Sequence, residues 1–202
     1  MNKSYTPDNL IRESRFVNFM AEQSAEMQTV VAARIGALIE ENRAYCTSVN
    51  FGHMRNLLTA LAIHEYDLQN GLSAEESLNR ISRAMEVYML PSRRKFEKYL
   101  SNHFLFSVAS PLIPRLMQSA NGQGFMTRAV KVGGGFGFDT TECLFFTLTR
   151  KYGCPDLGRH FCAIDEYMYS HIPNVRFLRT GTLCRGCKAC DFRFVWQKGA
   201  NL

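Results

Sequence analysis

Apolar residues recur at helical spacing through the first half of the chain. Met27, Val31, Ile35 and Leu38 fall every three or four positions, as do Leu57, Leu61, His64 and Leu68, which predicts two amphipathic helices. Ser73-Ala74-Glu75-Glu76 has the form of a capping box, and the helix it opens carries Leu78, Ile81, Met85 and Met89 on one face. Pro91 is expected to end or kink that helix, because it lacks a backbone N–H and its ring crowds the preceding turn. The apolar stretch from Phe104 to Met117, interrupted by Pro111 and Pro114, reads as buried helix.

The pattern changes at Asn121-Gly122-Gln123-Gly124. Residues 125–132 predict a strand, and Gly133-Gly134-Gly135-Phe136-Gly137 breaks it as a flexible turn. A helix is expected over 140–152 with Gly153 just past its end. Pro155 opens another helix, with Leu157, Phe161, Ile164 and Met168 on its apolar face. Residues 174–183 and 191–197 alternate as two strands of a hairpin. Within the second strand Phe192, Phe194 and Trp196 alternate with Asp191, Arg193 and Val195, so Asp191 and Arg193 share the face opposite the aromatic one. The expected class is α+β: a helical N-terminal half followed by a small antiparallel sheet with packed helices. Residues 1–120 form the helical region, either part of the same domain or a lid or dimerisation part, and 121–202 carry the site. No internal repeat interrupts this order.

Composition narrows the function classes. The chain has 202 residues, 46% hydrophobic and 21% charged, an ordinary globular balance. Its net charge of +6 is spread along the sequence, and the dense group Arg93, Arg94, Lys95 and Lys98 is offset by Glu97. That is a solvated helix face, and no nucleic-acid partner is expected. No apolar run approaches the roughly 20 residues of a membrane span, so no membrane partner is expected. The start Met1-Asn2-Lys3-Ser4-Tyr5-Thr6-Pro7 has no apolar leader core. The expectation is a cytoplasmic protein whose seven cysteines, an odd number, stay reduced.

The chemistry concentrates late in the chain. Cys184-Arg185-Gly186-Cys187-Lys188-Ala189-Cys190 leads into Asp191-Phe192-Arg193-Phe194, with Cys162 and Asp165 upstream. Cys184, Cys187 and Cys190 have the spacing of a metal knuckle, to which Cys154, His160 or Cys162 would add a fourth ligand for zinc. One clustered run, in place of two separated pairs, argues against a metal. Cys162 and Asp165 stand three apart and project from one side of a helix. A carboxylate beside a core seam needs a partner, and Arg179 or Arg193 on the hairpin is the candidate, whether in a structural ion pair or in a site. Gly133–Gly137 lacks the ending of a phosphate-binding loop. His64-Glu65 lacks the second histidine of a zinc protease, so His64 is read as a satisfied core histidine and Cys46 as a small buried hydrophobe. His53 and His103 carry no signal.

A series of segments then points to one family. They are Phe138-Asp139-Thr140-Thr141-Glu142-Cys143, Tyr152-Gly153-Cys154-Pro155-Asp156-Leu157, Phe161-Cys162-Ala163-Ile164-Asp165, Leu178-Arg179-Thr180-Gly181-Thr182-Leu183, and Gly186 with Cys190-Asp191-Phe192-Arg193-Phe194. Together, over residues 125–196, they resemble the L-2-amino-thiazoline-4-carboxylic acid hydrolase family. The closing Gly-x-x-x-Cys-Asp-Phe-Arg-Phe is the most specific part. The resemblance implies a hydrolase that opens a cyclic isothiourea, acting on a non-peptide C–N bond of a small cyclic amidine carboxylate without a cofactor. In the family pattern the loop keeps Gly186 and Cys190, and Cys184 and Cys187 are additions.

Such a reaction needs a nucleophile, a carboxylate for the amidinium and a cation for the substrate carboxylate. The expected nucleophile is Cys190, with Cys162 as the alternative. Asp165 is the amidinium partner or general base, and His160 an acid for the leaving group. Arg179 and Arg193 are expected to hold the substrate, with Asp191 beside them. The partner is a small molecule, and a homo-oligomer is compatible with the sequence. Two other classes compete: a non-catalytic small-molecule sensor, and a zinc or redox module built on Cys184, Cys187 and Cys190.

Overall fold

The computed structural model describes residues 4–200. The first three positions of the N-terminal segment used for the compartment expectation therefore lie outside the described residues. The chain divides into two compact units, one of residues up to Met89 and the other from Leu90 onward.

The first unit is helical, as the periodicity predicts. It contains α1 (Pro7–Glu13), α2 (Val17–Ala21), α3 (Ala25–Glu41), α4 (Phe51–Gln69) and the start of α5 (Ala74–Leu100). Ser24 caps α3 by accepting from the Met27 N–H, and Met27, Val31, Ile35 and Leu38 are buried. The capping box at α5 forms in both directions: Ser73 N–H donates to Glu76 Oε2 at 2.9 Å, and Glu76 N–H to Ser73 Oγ at 3.2 Å. The expected single apolar face of α4 needs correcting. Residues 57–64 are buried all round, and Leu68 is exposed, so α4 is a central helix. His64 is a satisfied core histidine. Its Nδ1 meets Ser77 Oγ at 3.0 Å, and Ser77 donates to the fully buried Asp67 at 2.8 Å.

Two breaks expected from proline fall out differently. Pro91 does not end α5, which continues to Leu100. Pro91 and Val87 are both exposed, so water can take the hydrogen bond that proline leaves unmade at the preceding turn. The stretch expected as buried helix from Phe104 to Met117 is two short helices, α6 (His103–Ala109) and α7 (Leu112–Met117). Only Phe106 and Pro114 on them are buried, while Phe104 is 72% and Leu116 64% exposed.

The second unit is organised by one antiparallel sheet in the order β1-β2-β4-β3, made of β1 (Met126–Val130), β2 (Gly135–Glu142), β3 (Val175–Leu178) and β4 (Cys190–Trp196). With its helices this is the expected α+β class. The β3–β4 hairpin pairs Phe177 with Phe194 and Leu178 with Arg193. The sequence reading missed β2, taking its glycines for a turn and its end for helix. Gly135 and Gly137 are instead strand residues whose missing side chains admit β4. A Cβ on Gly135 would stand 1.8 Å from the Phe194 carbonyl oxygen, and one on Gly137 2.8 Å from Arg193 Cδ. The helix expected from residue 140 begins only at Leu144, as α8 (Leu144–Lys151), and α9 (Pro155–Tyr169) follows.

One face of the sheet is aromatic. Phe136 stacks on Phe194 with centroids 4.6 Å apart, and Phe138 on Phe192 at 4.8 Å. These cross-strand pairs, with Leu100, Phe106, Ile172 and Val175, form the core of this unit. Because β4 alternates, Cys190 shares this face with Phe192, Phe194 and Trp196, while Asp191, Arg193 and Val195 point the other way.

Gly135→Ala is expected to destabilise the sheet unit by about 3 kcal/mol, because a methyl group must displace the backbone of β4. Denaturant unfolding followed by fluorescence of Trp196, the single tryptophan, reports on this sheet directly. An unchanged midpoint would disprove the close β2–β4 approach.

Candidate functional site

The helix α9 carries two functional stripes. Leu157, Phe161, Ile164 and Met168 are buried, as their spacing predicts. Beside them, Gly158, Cys162, Asp165 and Glu166 follow one another at intervals that keep them on one side of the helix. Arg179, one residue beyond the end of β3, reaches this stripe. Its side chain is only 2% exposed. One terminal nitrogen donates to Asp165 Oδ2 at 3.0 Å. The other donates to Glu166 Oε1 at 2.9 Å and to the Cys162 carbonyl at 2.7 Å. The guanidinium also lies over the Phe192 ring, 5.3 Å from its centroid. Burial works against the charge of Arg179, but the hydrogen bond to Glu166 and the charge of Asp165 outweigh it and raise its pKa. Its Nε is buried with no hydrogen-bond partner in the protein. Asp165 and Glu166 stay 37% and 42% exposed, so the arginine fixes them from beneath and leaves them open to solvent.

Next to this ion group three thiols form a row. The Leu183 N–H donates to Cys190 Sγ at 3.2 Å. The Cys162 thiol lies beside those of both Cys190 and Cys184 and interacts with each. The three are not equivalent. The neighbouring Cys162 and burial push the Cys190 thiol far up. The neighbouring Cys184 is the main cause that pushes Cys162 up to about 12, although Cys190 pulls the other way. Cys184 is lowered, first by the neighbouring Cys162, with burial opposing and Arg159 assisting. Negative charge in the row is therefore stabilised at Cys184. The Cys184 sulfur sits directly over Gly158, where a Cβ would come within 3.0 Å of it. Cys143 stands at the position preceding α8, and burial raises its thiol to about 12.

Of the residues expected in one pocket, the structure brings together Cys190, Cys162, Asp165 and Arg179. Arg193 stays apart, on the opposite face of the sheet, bound to Asp139 Oδ1 at 2.6 Å and to the Phe138 carbonyl at 3.1 Å. Asp191 is occupied with backbone: it accepts from Gly181 N–H at 2.6 Å and from the N–H and hydroxyl of Thr180. His160 stands two residues from Cys162 on α9 and so projects from the other side; burial lowers its pKa. The knuckle spacing does not gather its sulfurs. Cys190 is buried under the sheet face, Cys184 lies on α9, and Cys187 is exposed near Gly181. Among the described residues no group of three or more His, Cys, Asp or Glu side chains is arranged to hold a metal ion, and none of their helices is long and apolar enough to cross a membrane.

The sequence reading missed Glu166 and Cys143. Glu166 carried a signal, since it stands four positions from Cys162 on the same helix side. Cys143 was hidden by the misplaced start of α8. A family model described as L-2-amino-thiazoline-4-carboxylic acid hydrolase matches residues 55–194, a range that includes this whole group. No curated protein and no solved structure matches the chain.

Asp191 generates a pH prediction. Burial opposes its charge, but the hydrogen bonds from Thr180 and Gly181 outweigh burial and hold its pKa below the ordinary aspartate value. A carboxyl lowered in the folded state stabilises the fold above its ordinary value and loses that contribution as pH falls through the lowered one. Asp191→Asn should thus cost less than about 1 kcal/mol at neutral pH, since solvent screens the partly exposed carboxylate. The gap to wild type should close as the pH falls below the ordinary aspartate range. Thermal melts across the acid range that kept a constant gap would contradict this.

Proposed function

Because the chain belongs to the L-2-amino-thiazoline-4-carboxylic acid hydrolase family, we propose that it hydrolyses a ring carbon–nitrogen bond in a small cyclic amidine or isothiourea that bears a carboxylate. One observation carries the reading: Cys162, Asp165 and Glu166 share one side of α9, and a single buried guanidinium fixes both carboxylates. Two carboxylates at adjacent positions, open to solvent, suit the flat, doubly hydrogen-bonding edge of an amidinium. Arg185, exposed and 3.9 Å from Glu166, is the cation for the substrate carboxylate. Arg179 is already engaged by protein groups and serves to position Asp165 and Glu166.

The geometry favours Cys162 as nucleophile over the expected Cys190. Cys190 is 5% exposed and its thiol is far up, whereas Cys162 is half-buried beside the carboxylates. At rest Cys162 is protonated. An arriving amidinium adds a positive charge next to it, which lowers the thiol pKa and yields the thiolate where it is used. The thiolate adds to the amidine carbon. The ring carbon–nitrogen bond breaks, and the nitrogen leaves as an amine with a proton. Water then displaces Cys162, leaving a carbamoyl carbonyl on the opened chain and restoring the thiol. Cys190, packed beside Cys162, helps to orient it.

Turnover of L-2-amino-thiazoline-4-carboxylate by the purified protein tests the reading. Cys162→Ser is expected to lower kcat by about a hundredfold or more, and Asp165→Asn to weaken binding as well as rate, on the scale of a lost catalytic group. Cys187→Ser should leave both unchanged. Full activity of Cys162→Ser with loss in Asp165→Asn would move the attack to a carboxylate-activated water. Binding without turnover in the wild type would make the protein a sensor of the same ligand.

A further inference from the structure

Cys184 has no part in the reaction just described, yet it is the thiol of the row on which negative charge is favoured. It is also partly open to solvent, on the loop between β3 and β4. It is held against α9 from two sides. The sulfur lies over Gly158, and the Cys184 carbonyl accepts from Arg159 Nε at 3.3 Å. Gly158 and Cys162 are four residues apart on α9, one turn up the same side. A sulfur seated over Gly158 and close enough to Cys162 for the two thiols to act on each other is therefore placed along the one row of α9 that carries a thiol. We propose that Cys184 and Cys162 form a modification site for hydroperoxides, at which peroxide oxidises Cys184 and Cys162 closes the pair as a disulfide.

The chemistry balances within the pair. The Cys184 thiolate attacks the terminal oxygen of the hydroperoxide. A sulfur–oxygen bond forms, the oxygen–oxygen bond breaks, and the alcohol, or water from hydrogen peroxide, leaves with a proton. Cys184 is then a sulfenic acid. The Cys162 thiol attacks that sulfur, the sulfur–sulfur bond forms, and the sulfenic oxygen departs as water with the Cys162 proton. Two thiols lose two electrons and one peroxide gains them. A dithiol reverses the change by exchange. Position separates the roles. Cys184 is the thiolate that a small peroxide can reach, Cys162 is the neighbour that resolves it, and Cys190, behind Cys162 and 5% exposed, is shielded. On the reading that Cys162 is the nucleophile, the disulfide also silences hydrolysis until it is reduced.

The sequence makes the test unambiguous, because tryptic cleavage after Lys and Arg places every cysteine in a different peptide. Cys162 falls in His160–Arg176, Cys184 in Thr180–Arg185, Cys187 in Gly186–Lys188 and Cys190 in Ala189–Arg193. The full-length reduced protein is treated with limiting hydrogen peroxide, alkylated and mapped by mass spectrometry without reduction. The expected product is His160–Arg176 joined to Thr180–Arg185 with loss of two hydrogens, absent after dithiothreitol and still formed in Cys187→Ser. A link from His160–Arg176 to Ala189–Arg193, or Cys184 left as unreacted thiol or over-oxidised without a link, overturns the site. Cys184→Ser should lose the link, and the wild-type map stands by itself if that variant does not fold. Activity measured on the same samples separates the two readings: a quantitative Cys162–Cys184 link with undiminished turnover keeps the modification site and removes Cys162 as nucleophile.

Discussion

The second unit depends on one buried cation. Arg179 sits past the end of β3 with almost no solvent exposure, and its two terminal nitrogens tie the sheet to α9 through Asp165, Glu166 and the Cys162 carbonyl. Removing a guanidinium from water costs several kcal/mol, and only complete, well-directed hydrogen bonding offsets that. The carboxylates meet the charge, but they are more than a third exposed, so the ion group adds little net stability. Its consequence is geometric. A planar fork with two fixed partners sets the rotation of α9 against the strands, and rotation about the helix axis decides which side chains face the thiols. The stacked position over Phe192 and the unpartnered Nε belong to the same placement.

Alternation along β4 accounts for what sequence reasoning could and could not place. Period two was legible, and it put Asp191 and Arg193 on the face opposite the aromatics. The same parity puts Cys190 on the aromatic face, so the thiol and Arg193 could never share a pocket on one side of the sheet. The expectation of a common pocket relied on closeness along the chain, and in a strand adjacent residues are the ones that point apart. Asp165 and Arg179 were legible for a sounder reason. A carboxylate next to the apolar stripe of a helix demands a partner, and few cations were within reach.

The remaining misses share a physical cause. Propensity reads Gly133–Gly137 as a turn because glycine is poor in strands, yet Gly135 and Gly137 are strand residues because β4 leaves no room for a Cβ. That constraint exists only between strands, so it has no local trace. Losing β2 displaced the start of α8, and Cys143 with it. Likewise, Phe104, Val108, Leu112 and Leu116 read as core from their chemistry. Phe106 and Pro114 are the residues α6 and α7 direct inward, and the others lie on the outer sides of the same helices.

The thiol row adds a constraint that composition could not carry. Three like groups in contact cannot all ionise, because each added charge raises the next pKa, so one negative charge is shared unequally. The contact with Cys162 sets the order, raising Cys190 on the sheet face, where burial adds to it, and lowering Cys184 on the loop. The end most able to hold charge is thus the end nearest solvent, and the middle thiol keeps its proton beside Asp165 and Glu166. A substrate cation at those carboxylates and an oxidant at Cys184 act on the same shared proton from opposite ends. Both effects follow from a single placement, the seat of the β3–β4 loop on Gly158, where a Cβ would crowd Thr149 Oγ1 at 2.7 Å and the Cys184 sulfur at 3.0 Å.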